Sequence, residues 1–385
     1  MTNVVVTGAD GFIGRNLMVA LRRRHDIVVT GLDIGDADER LAAAMREADV
    51  VFHLAGVNRP KDPREFSKGN LGFTAAICSI MSAAGVRPTV VFSSSTQAEL
   101  GNAYGVSKLA AEEELAAWSA GQRGAMGGPV AVFRLPNVFG KWGKPDYNSV
   151  AATFCHNIAH DLPVRVDDAD ASIRLVHVGD VVSAFLAVLD ETVDGVEQRH
   201  VEPVADTTVG ELADTIRAFH ASRHSPDVPE LSSHYQRALY STYLSYLEPC
   251  ELAFPLALRE DERGLLAEVL RQREAGQVFF SWTHPGVTRG NHYHDTKVER
   301  FMVLAGRGLI RIRPLNDRDV REYVVDAVVP TVVVIPPGAT HSIENIGDED
   351  MLALFWADEV FDPERPDTFF ESVLDAPSCA GSDSA

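Results

Sequence analysis

Residues 3–15 read NVVVTGADGFIGR: the β-branched run Asn3–Thr7 leads straight into Gly8, Gly11 and Gly14, and a helical pattern opens at Arg15. Val and Thr are stiff at χ1 and favour extended backbone, so the run reads as a strand. The three glycines then have separate tasks. Gly8 permits the tight turn, Gly11 lets backbone N–H groups approach a pyrophosphate, and Gly14 lets helix and strand pack closely. Phe12 and Ile13 sit between the last two and belong to the same cradle. A glycine triplet alone is weak evidence, but strand, turn and helix in this order predict a dinucleotide site.

The pattern continues outward. Ile27–Leu32, Val50–Leu54, Val90–Ser94 and Val130–Leu135 read as buried strands, with helical spacing at Arg15–Arg24 and Tyr104–Ala117. Strand and helix in alternation predict an α/β domain with a Rossmann-type, doubly wound parallel sheet. Asp33 stands 19 residues after Gly14, at the end of the second strand. A carboxylate there accepts from the adenine-ribose hydroxyls and repels a 2′-phosphate, which favours NADH. Arg15 is placed to meet a 2′-phosphate, so both NADH and NADPH stay open on the residues. Leu54, Ala55 and Gly56 end the third strand with small side chains that admit a cofactor.

Tyr104 and Lys108 lie at i and i+4 on one helix face. An ammonium beside a phenol favours the phenolate and is expected to lower the tyrosine pKa. Tyr104 is then a proton donor to a carbonyl that receives hydride, and Lys108 also holds the nicotinamide ribose. One of the serines Ser93–Ser95 should bond the reacting carbonyl oxygen, with Ser95 favoured and Ser94 the alternative. Only eight residues separate Ser95 from Tyr104.

After about residue 256 the texture changes. Val278–Trp282, Glu299–Val303, Gly308–Arg313, Val320–Val325, Thr331–Ile335 and Met351–Trp356 are closely spaced strands, and Gly264–Arg271 reads as the one helix. That predicts an antiparallel sandwich or barrel. Within it, His292 and His294 share one face of a strand. Glu299 on the next strand and His341 on a later one can converge with them. Three imidazoles and a carboxylate suit a divalent metal such as Zn²⁺, Mn²⁺, Fe²⁺ or Ni²⁺, with zinc the first choice.

Composition bounds the partners. With 35 Lys+Arg against 55 Asp+Glu the formal charge is −20, which argues against nucleic acid as the main partner. No apolar run is long enough to span a membrane. The N-terminus lacks the features of a signal peptide. Cys78, Cys155, Cys250 and Cys379 are far apart, as expected of reduced thiols in a cytoplasmic protein.

Several motifs carry a resemblance to known families. TGADGFIG, HLAG, YGVSK, RLPNVFG (134–140) and RLVHVGDVVSAF (174–185) resemble the extended short-chain dehydrogenase/reductase family of nucleotide-sugar enzymes. That resemblance implies Tyr104, Lys108 and a Ser93–Ser95 hydroxyl as the catalytic set, with Asn137 and Arg174 near the sugar nucleotide. The histidine and glutamate spacings resemble the double motif of cupins, implying a jelly-roll barrel with His292, His294, Glu299 and His341 as metal ligands. GVNRP (56–60), NVFGKWGKPDYNSVAATFC (137–155), LYSTYLSYL (239–247), GNHYHDTK (290–297) and FDPERPDTFF (361–370) extend the likeness over nearly the whole chain. Together they resemble the bifunctional capsular-polysaccharide family acting on a UDP-2-acetamido-2,6-dideoxy-4-keto-hexose.

The resemblance implies C3 epimerisation in the cupin domain, then C4 reduction with NADPH, giving a UDP-N-acetyl-6-deoxy-talose type sugar. Tyr293 and Lys297 are candidates for the epimerisation base, though each reads better as a surface or packing residue. The expected layout is a reductase domain over 1–245, a linker at 246–255, a cupin domain over 256–373 and a disordered tail from 374 to 385. A homodimer is the default assembly. Two rival readings are a reductase whose metal-bound cupin is only structural, and a redox-sensing regulator that binds cofactor without turnover. Intact Tyr104 and Lys108 weigh against the regulator.

Overall fold

A computed structural model of the chain describes all residues except 61, 63, 123–126, 249–251, 316 and 375–385. The expected tail therefore lies, from 375 on, outside the described residues. Two compact units emerge, one of residues 1–220 and 231–248, the other of 221–230 and the chain after 248. Residues 221–230 leave the expected first domain for a local reason. Arg271 N–H donates to the Pro226 carbonyl and Val228 N–H to the Arg271 carbonyl, each at 2.7 Å. The Asp227–Arg271 ion pair at 2.8 Å adds to this.

The first unit runs β1 (Thr2–Thr7), α1 (Phe12–Leu21), β2 (Ile27–Leu32), α2 (Asp38–Glu47), β3 (Val50–His53), α3 (Arg64–Phe66), a π-helical turn Ser67–Gly72 and α4 (Phe73–Ala84). It continues with β4 (Thr89–Ser95), a 3₁₀ turn Thr96–Glu99, α5 (Ala103–Ser119), β5 (Val130–Leu135), β6 (Asn137–Phe139) and α6 (Val150–Ala159). Then come β7 (Ser172–His177), α7 (Val178–Ala187), β8 (Val196–Arg199), β9 (Val204–Thr208), α8 (Val209–Ser222) and α9 (His234–Leu244).

The main sheet has the order β2-β1-β3-β4-β5-β8, and all its pairs are parallel. Chain succession reverses direction between β1 and β3, so a crevice opens over the carboxyl ends of those strands. One apolar layer gathers Leu17, Phe52, Phe133 and Phe185; another gathers Met45, Met81, Phe92 and Trp118. Full burial of side chains this size stabilises by roughly 1.5–3 kcal/mol each. That fixes the strand ends as a rigid platform.

A small sheet, β6-β7-β9, packs with α6, α8 and α9 around Phe154, Phe219, Leu239 and Tyr243. The stretch rich in proline and tyrosine thus contains a helix. Ser233 and Gln236 form a capping box at its start, and Tyr243 is wholly buried with its hydroxyl 3.1 Å from His220 Nδ1.

The second unit is cupin-like: β10 (Leu258–Asp261), β11 (Gly264–Gln272), β12 (Gly276–Thr283), β13 (Thr288–Tyr293), β14 (Glu299–Ala305) and β15 (Arg307–Pro314). It ends with β16 (Arg321–Asp326), β17 (Val332–Ile335), β18 (Ala339–Asn345), β19 (Met351–Ala357) and β20 (Phe369–Phe370). Its sheets, β10-β11-β12-β19-β14-β17 and β16-β15-β18-β13-β20, enclose a core that includes Phe301, Ile310, Ile343 and Phe355.

The expected helix Gly264–Arg271 is instead strand β11, bonded on both edges. A bulge between Glu268 and Leu270 shifts its alternation, which is why the apolar spacing in GLLAEVLR imitates a helix. Among the described residues no helix is long and apolar enough to cross a membrane.

Candidate active site and metal centre

The first site is a cleft of about 990 Å³ over the carboxyl ends of the parallel strands. Gly8, Gly11, Phe12 and Ile13 line one wall, and Leu54, Ala55 and Gly56 another. Two glycines are sterically required. Gly8 has φ +71°, and a Cβ there would meet the Ala55 nitrogen at 2.8 Å; one on Gly14 would lie 2.0 Å from the Gly8 carbonyl oxygen. Gly14 thus sets the helix-to-strand distance and stays out of the lining.

Asp33 closes the far end. Its carboxylate accepts from the N–H groups of Asp10 and Ile34, each at 2.7 Å.

Sequence reasoning missed the braces beneath the cleft. His53, fully buried, has Nδ1 2.9 Å from Thr7 Oγ1 and Nε2 2.9 Å from Thr74 Oγ1. Burial, and next the Lys108 charge, push its pKa down to about 3, so it is a neutral tie between β1, β3 and α4. Asn70, in the π-helical turn, accepts from Val57 N–H and donates to Ser107 Oγ, both at 2.8 Å. A histidine inside an apolar strand was the visible signal for the first. Nothing local marked the second.

The serines separate cleanly. Ser94 Oγ donates to the buried Glu112 carboxylate, which Arg134 grips at 2.7 Å. Ser95 instead stands beside the Tyr104 phenol, where it draws the phenol pKa down, and accepts from Gln97 N–H at 3.2 Å. Of the two, Ser95 is the hydroxyl beside the tyrosine.

Lys108 is buried, its Nζ 2.9 Å from the Ser93 carbonyl and 4.8 Å from the centre of the Phe92 ring. Burial lowers its pKa to about 8 against the opposing pull of Glu112. Burial also pushes Tyr104 up to about 12; the Ser95 hydroxyl draws it down and Tyr147 adds to the rise. The expected lowering by Lys108 is not found: what draws the phenol down is Ser95, and burial outweighs it. A pH consequence follows for Lys108. Its ammonium form prevails below about pH 8, so ketone reduction should fall as pH rises through that value, read as a rate profile of cofactor oxidation. A flat profile from pH 7 to 9.5 would remove the ammonium from the mechanism.

Asn137 lines the cleft and donates to the Arg174 carbonyl at 3.2 Å. Arg174 itself is not among the lining residues; its side chain is 60% exposed and 3.3 Å from Asp206. The segment 141–149 supplies lining that was not foreseen: Trp142, Lys144 and Tyr147. Trp142 holds a left-handed backbone at φ +69°, kept in place as Tyr246 Oη donates to the Gly143 carbonyl at 2.7 Å and Asn16 to that of Lys141 at 3.2 Å.

The second site lies in the cupin-like unit. His292, His294, Glu299 and His341 each offer one ligand atom, and these atoms lie within 4.8 Å of one another. A bulge in β13 at Asn291 (φ +58°) puts His292 opposite His341 of β18. His294 Nδ1 donates to the Asp367 carbonyl at 2.5 Å and His341 Nδ1 to that of Ala339 at 3.3 Å. Their Nε2 lone pairs are thereby turned to Glu299 Oε2, each 3.2 Å away. All three atoms are buried without hydrogen-bond geometry. Two imidazole nitrogens and a carboxylate oxygen converging in a buried pocket with no other partner fit a bound cation. Burial lowers the His292 pKa to about 4, with His341 adding, so that ring is in the neutral, ligating form, whereas Glu299 and the Asp367 carbonyl outweigh burial at His294 and raise its pKa.

The two residues weighed as epimerisation bases are both engaged in packing. Lys297 is buried with Nζ donating to the Pro366 carbonyl at 3.0 Å, and the Tyr293 ring stacks on Phe369 at 5.2 Å.

Comparison with known proteins agrees with this division. Residues 4–202 match the NAD dependent epimerase/dehydratase family, and residues 259–369 the polysaccharide biosynthesis C-terminal domain. A UDP-2-acetamido-2,6-beta-L-arabino-hexul-4-ose reductase of Pseudomonas aeruginosa is 42% identical, covering 96% of this chain and 98% of that protein. The capsular polysaccharide assembling protein CapF from Staphylococcus aureus superposes with TM-score 0.86 at 40% identity, covering 96% of this chain and all of that one. MoeE5 in complex with UDP-glucose and NAD is 25% identical with TM-score 0.50, covering 56% of this chain and 81% of its own. A glycine cradle, a Ser95–Tyr104 pair over a buried lysine and likeness along nearly the whole length lead to one assignment: the chain belongs to the NAD dependent epimerase/dehydratase family of nicotinamide-using enzymes and carries the polysaccharide biosynthesis C-terminal domain beside it.

Proposed function

We propose that the chain performs two successive steps on a UDP-2-acetamido-2,6-dideoxy-4-keto-hexose, inverting C3 in the second unit and reducing C4 in the first. One observation carries the reading: Ser95, Tyr104 and Lys108 line the cleft of the first unit, and His292, His294, Glu299 and His341 converge in the second as a site for a metal that would polarise the 4-keto group. When bound, the nicotinamide supplies hydride and a divalent metal, by its donor set zinc, supplies Lewis acidity. Tyr104 gives its proton to the C4 oxygen as hydride reaches C4, Ser95 orients that oxygen, and Lys108 steadies the phenolate left behind. The order is set by chemistry, because the C3 proton is acidic only while C4 is a ketone. Asn137, Trp142 and Tyr147 are the side chains offered to the sugar nucleotide.

The printed name of the Pseudomonas aeruginosa relative is that of a reductase alone, which favours a second reading with a purely structural metal barrel. Incubation of the keto sugar in D₂O without cofactor decides between them. Deuterium at C3, followed by a C4 alcohol once NAD(P)H is added, is the expected result. Reduction with no prior exchange leaves a reductase only.

The resemblance implies NADPH, whereas the adenosine end of the cleft supports NADH. Asp10, Asp33, Asp36 and Asp38 all line it; Arg40 is paired with Asp36, and the Arg15 Nε donates to the Asp10 carbonyl at 2.6 Å. A 2′-phosphate would enter beside several carboxylates, and like-charge juxtaposition costs several kcal/mol. Asp33→Ser is expected to shift the kcat/KM ratio roughly 100-fold towards NADPH. An unchanged ratio would place the choice elsewhere. A homodimer is supported by exposed apolar side chains on the second unit, Trp282, Val332 and Val334, and a cytoplasmic setting suits NAD(P)H chemistry.

A further inference from the structure

We propose that Asp367 is a positioning residue for the metal centre, closing a ring of bonds that fixes the direction of the His294 imidazole. The inference rests on His292, His294, Glu299 and His341 being a metal site. Its basis is an arrangement seen only in the folded barrel. The Asp367 main-chain carbonyl accepts from His294 Nδ1 at 2.5 Å. Its side-chain carboxylate reaches back to the turn just after that histidine, accepting from the N–H groups of Asp295 (2.8 Å), Thr296 (3.1 Å) and Lys297 (2.9 Å). The Thr296 hydroxyl adds a fourth bond at 3.0 Å. One residue therefore holds the ligand's ring from one side and its outgoing backbone from the other.

That grip selects the tautomer. With Nδ1–H committed to a carbonyl, Nε2 presents its lone pair towards Glu299 and His341, which is the state a metal needs. Free rotation of the imidazole would let the ring swing or exchange tautomers, and each alternative removes one donor. Asp367 itself sits at φ +39°, a left-handed backbone that Asp, Asn and Gly adopt more readily than other residues.

The segment does not depend on Asp367 for its attachment. Arg313, fully buried, donates to the Val373 carbonyl at 3.0 Å, the Ser372 carbonyl at 3.0 Å and the Glu371 carboxylate at 2.7 Å. Strand β20 also pairs with β13, His292 opposite Phe370. Removing the carboxylate should thus loosen residues 294–297 without releasing the chain end.

The test uses the full chain with Zn²⁺ as probe, in competition with a chromophoric chelator. Asp367→Gly keeps the left-handed backbone and the carbonyl but loses the carboxylate. It is expected to weaken Zn²⁺ binding roughly 10–100-fold, with faster amide exchange at 295–297. Co²⁺ bound in its place should show shifted ligand-field bands, a change that a general loss of stability would not cause. Asp367→Asn, which retains one acceptor oxygen, should fall between and serves if the glycine variant does not fold. His294→Ala is the reference for a lost ligand. If His294→Ala loses Zn²⁺ while both Asp367 variants hold it within twofold of the parent, with unshifted Co²⁺ bands, the carboxylate has no positioning role. If the parent chain binds no Zn²⁺, the metal reading fails, and the proposal with it.

Discussion

Tyr104→Phe should reduce the rate of C4 ketone reduction by about 10²–10⁴-fold, the usual worth of a positioned proton donor. Binding of NAD(P)H should stay within a few fold. The phenylalanine ring fills the same buried space, so the loss is chemical. In the parent the phenol has a pKa near 12 and is fully protonated at neutral pH. It is an acid in waiting: the proton moves only when hydride arrival turns the C4 oxygen into a stronger base. Ser95→Ala should cost less, because it removes orientation and leaves the proton. Ser94→Ala should act through structure, since that hydroxyl is bound to the Glu112–Arg134 pair away from Tyr104. Exchange at C3 in the second unit should survive all three. A Tyr104→Phe enzyme that still consumed NAD(P)H at the parent rate would sink the assignment of the proton donor. Stopped-flow absorbance at 340 nm (roughly the reduced-nicotinamide band) reads this directly.

What could be read from the chain alone follows the range of the forces involved. The glycine cradle was legible because Gly8 and Gly14 are forced by contacts within one βα turn. The convergence of His292, His294, Glu299 and His341 was legible because a β-barrel puts i and i+2 on one face and repeats its strands at short intervals. Where the reading failed, distant partners decided. β11 looked helical until its two neighbours and its bulge were known. The Tyr104 pKa moves up because burial by residues far apart in sequence dominates it, and the lysine one helical turn away does not lower it. Ser94 and Ser95 are alike in sequence and differ only in what α5 and β5 bring to them. Asp367 is a lone carboxylate in FDPERPDTFF, and only the return of that segment to His294 gives it meaning. Trp142 and Tyr147 belong to the same class, since a loop's exposure to a cleft has no local signature.

Stripping the metal, or making His341→Ala, should abolish C3 exchange while sparing C4 reduction of a substrate already inverted at C3. The asymmetry of the two outcomes is the point of the experiment. A divalent metal held by His292, His294, Glu299 and His341 would supply Lewis acidity worth several kcal/mol; at 1.36 kcal/mol per tenfold, even about 3–4 kcal/mol is about 10²–10³ in rate. His341 is wholly buried and at the heart of the cluster, so its loss also leaves Glu299 without one of its two contacts. Some of the effect will therefore be on the barrel itself, and far-UV circular dichroism of the variant has to be read beside the rate. Metal stripping of the parent by dialysis against a chelator avoids that difficulty because no side chain changes. Restoration by Zn²⁺ alone would make zinc sufficient. Restoration only by Mn²⁺ or Fe²⁺ would keep the site and change the metal, as three imidazoles and a carboxylate allow. Exchange that continues unchanged in the stripped protein would make the centre a staple of the barrel, and the chain a reductase with one active site. On the proposed function the first unit is not expected to rescue exchange, because Ser95, Tyr104 and Lys108 are there assigned to protonating the C4 oxygen and none of them to taking a proton from C3.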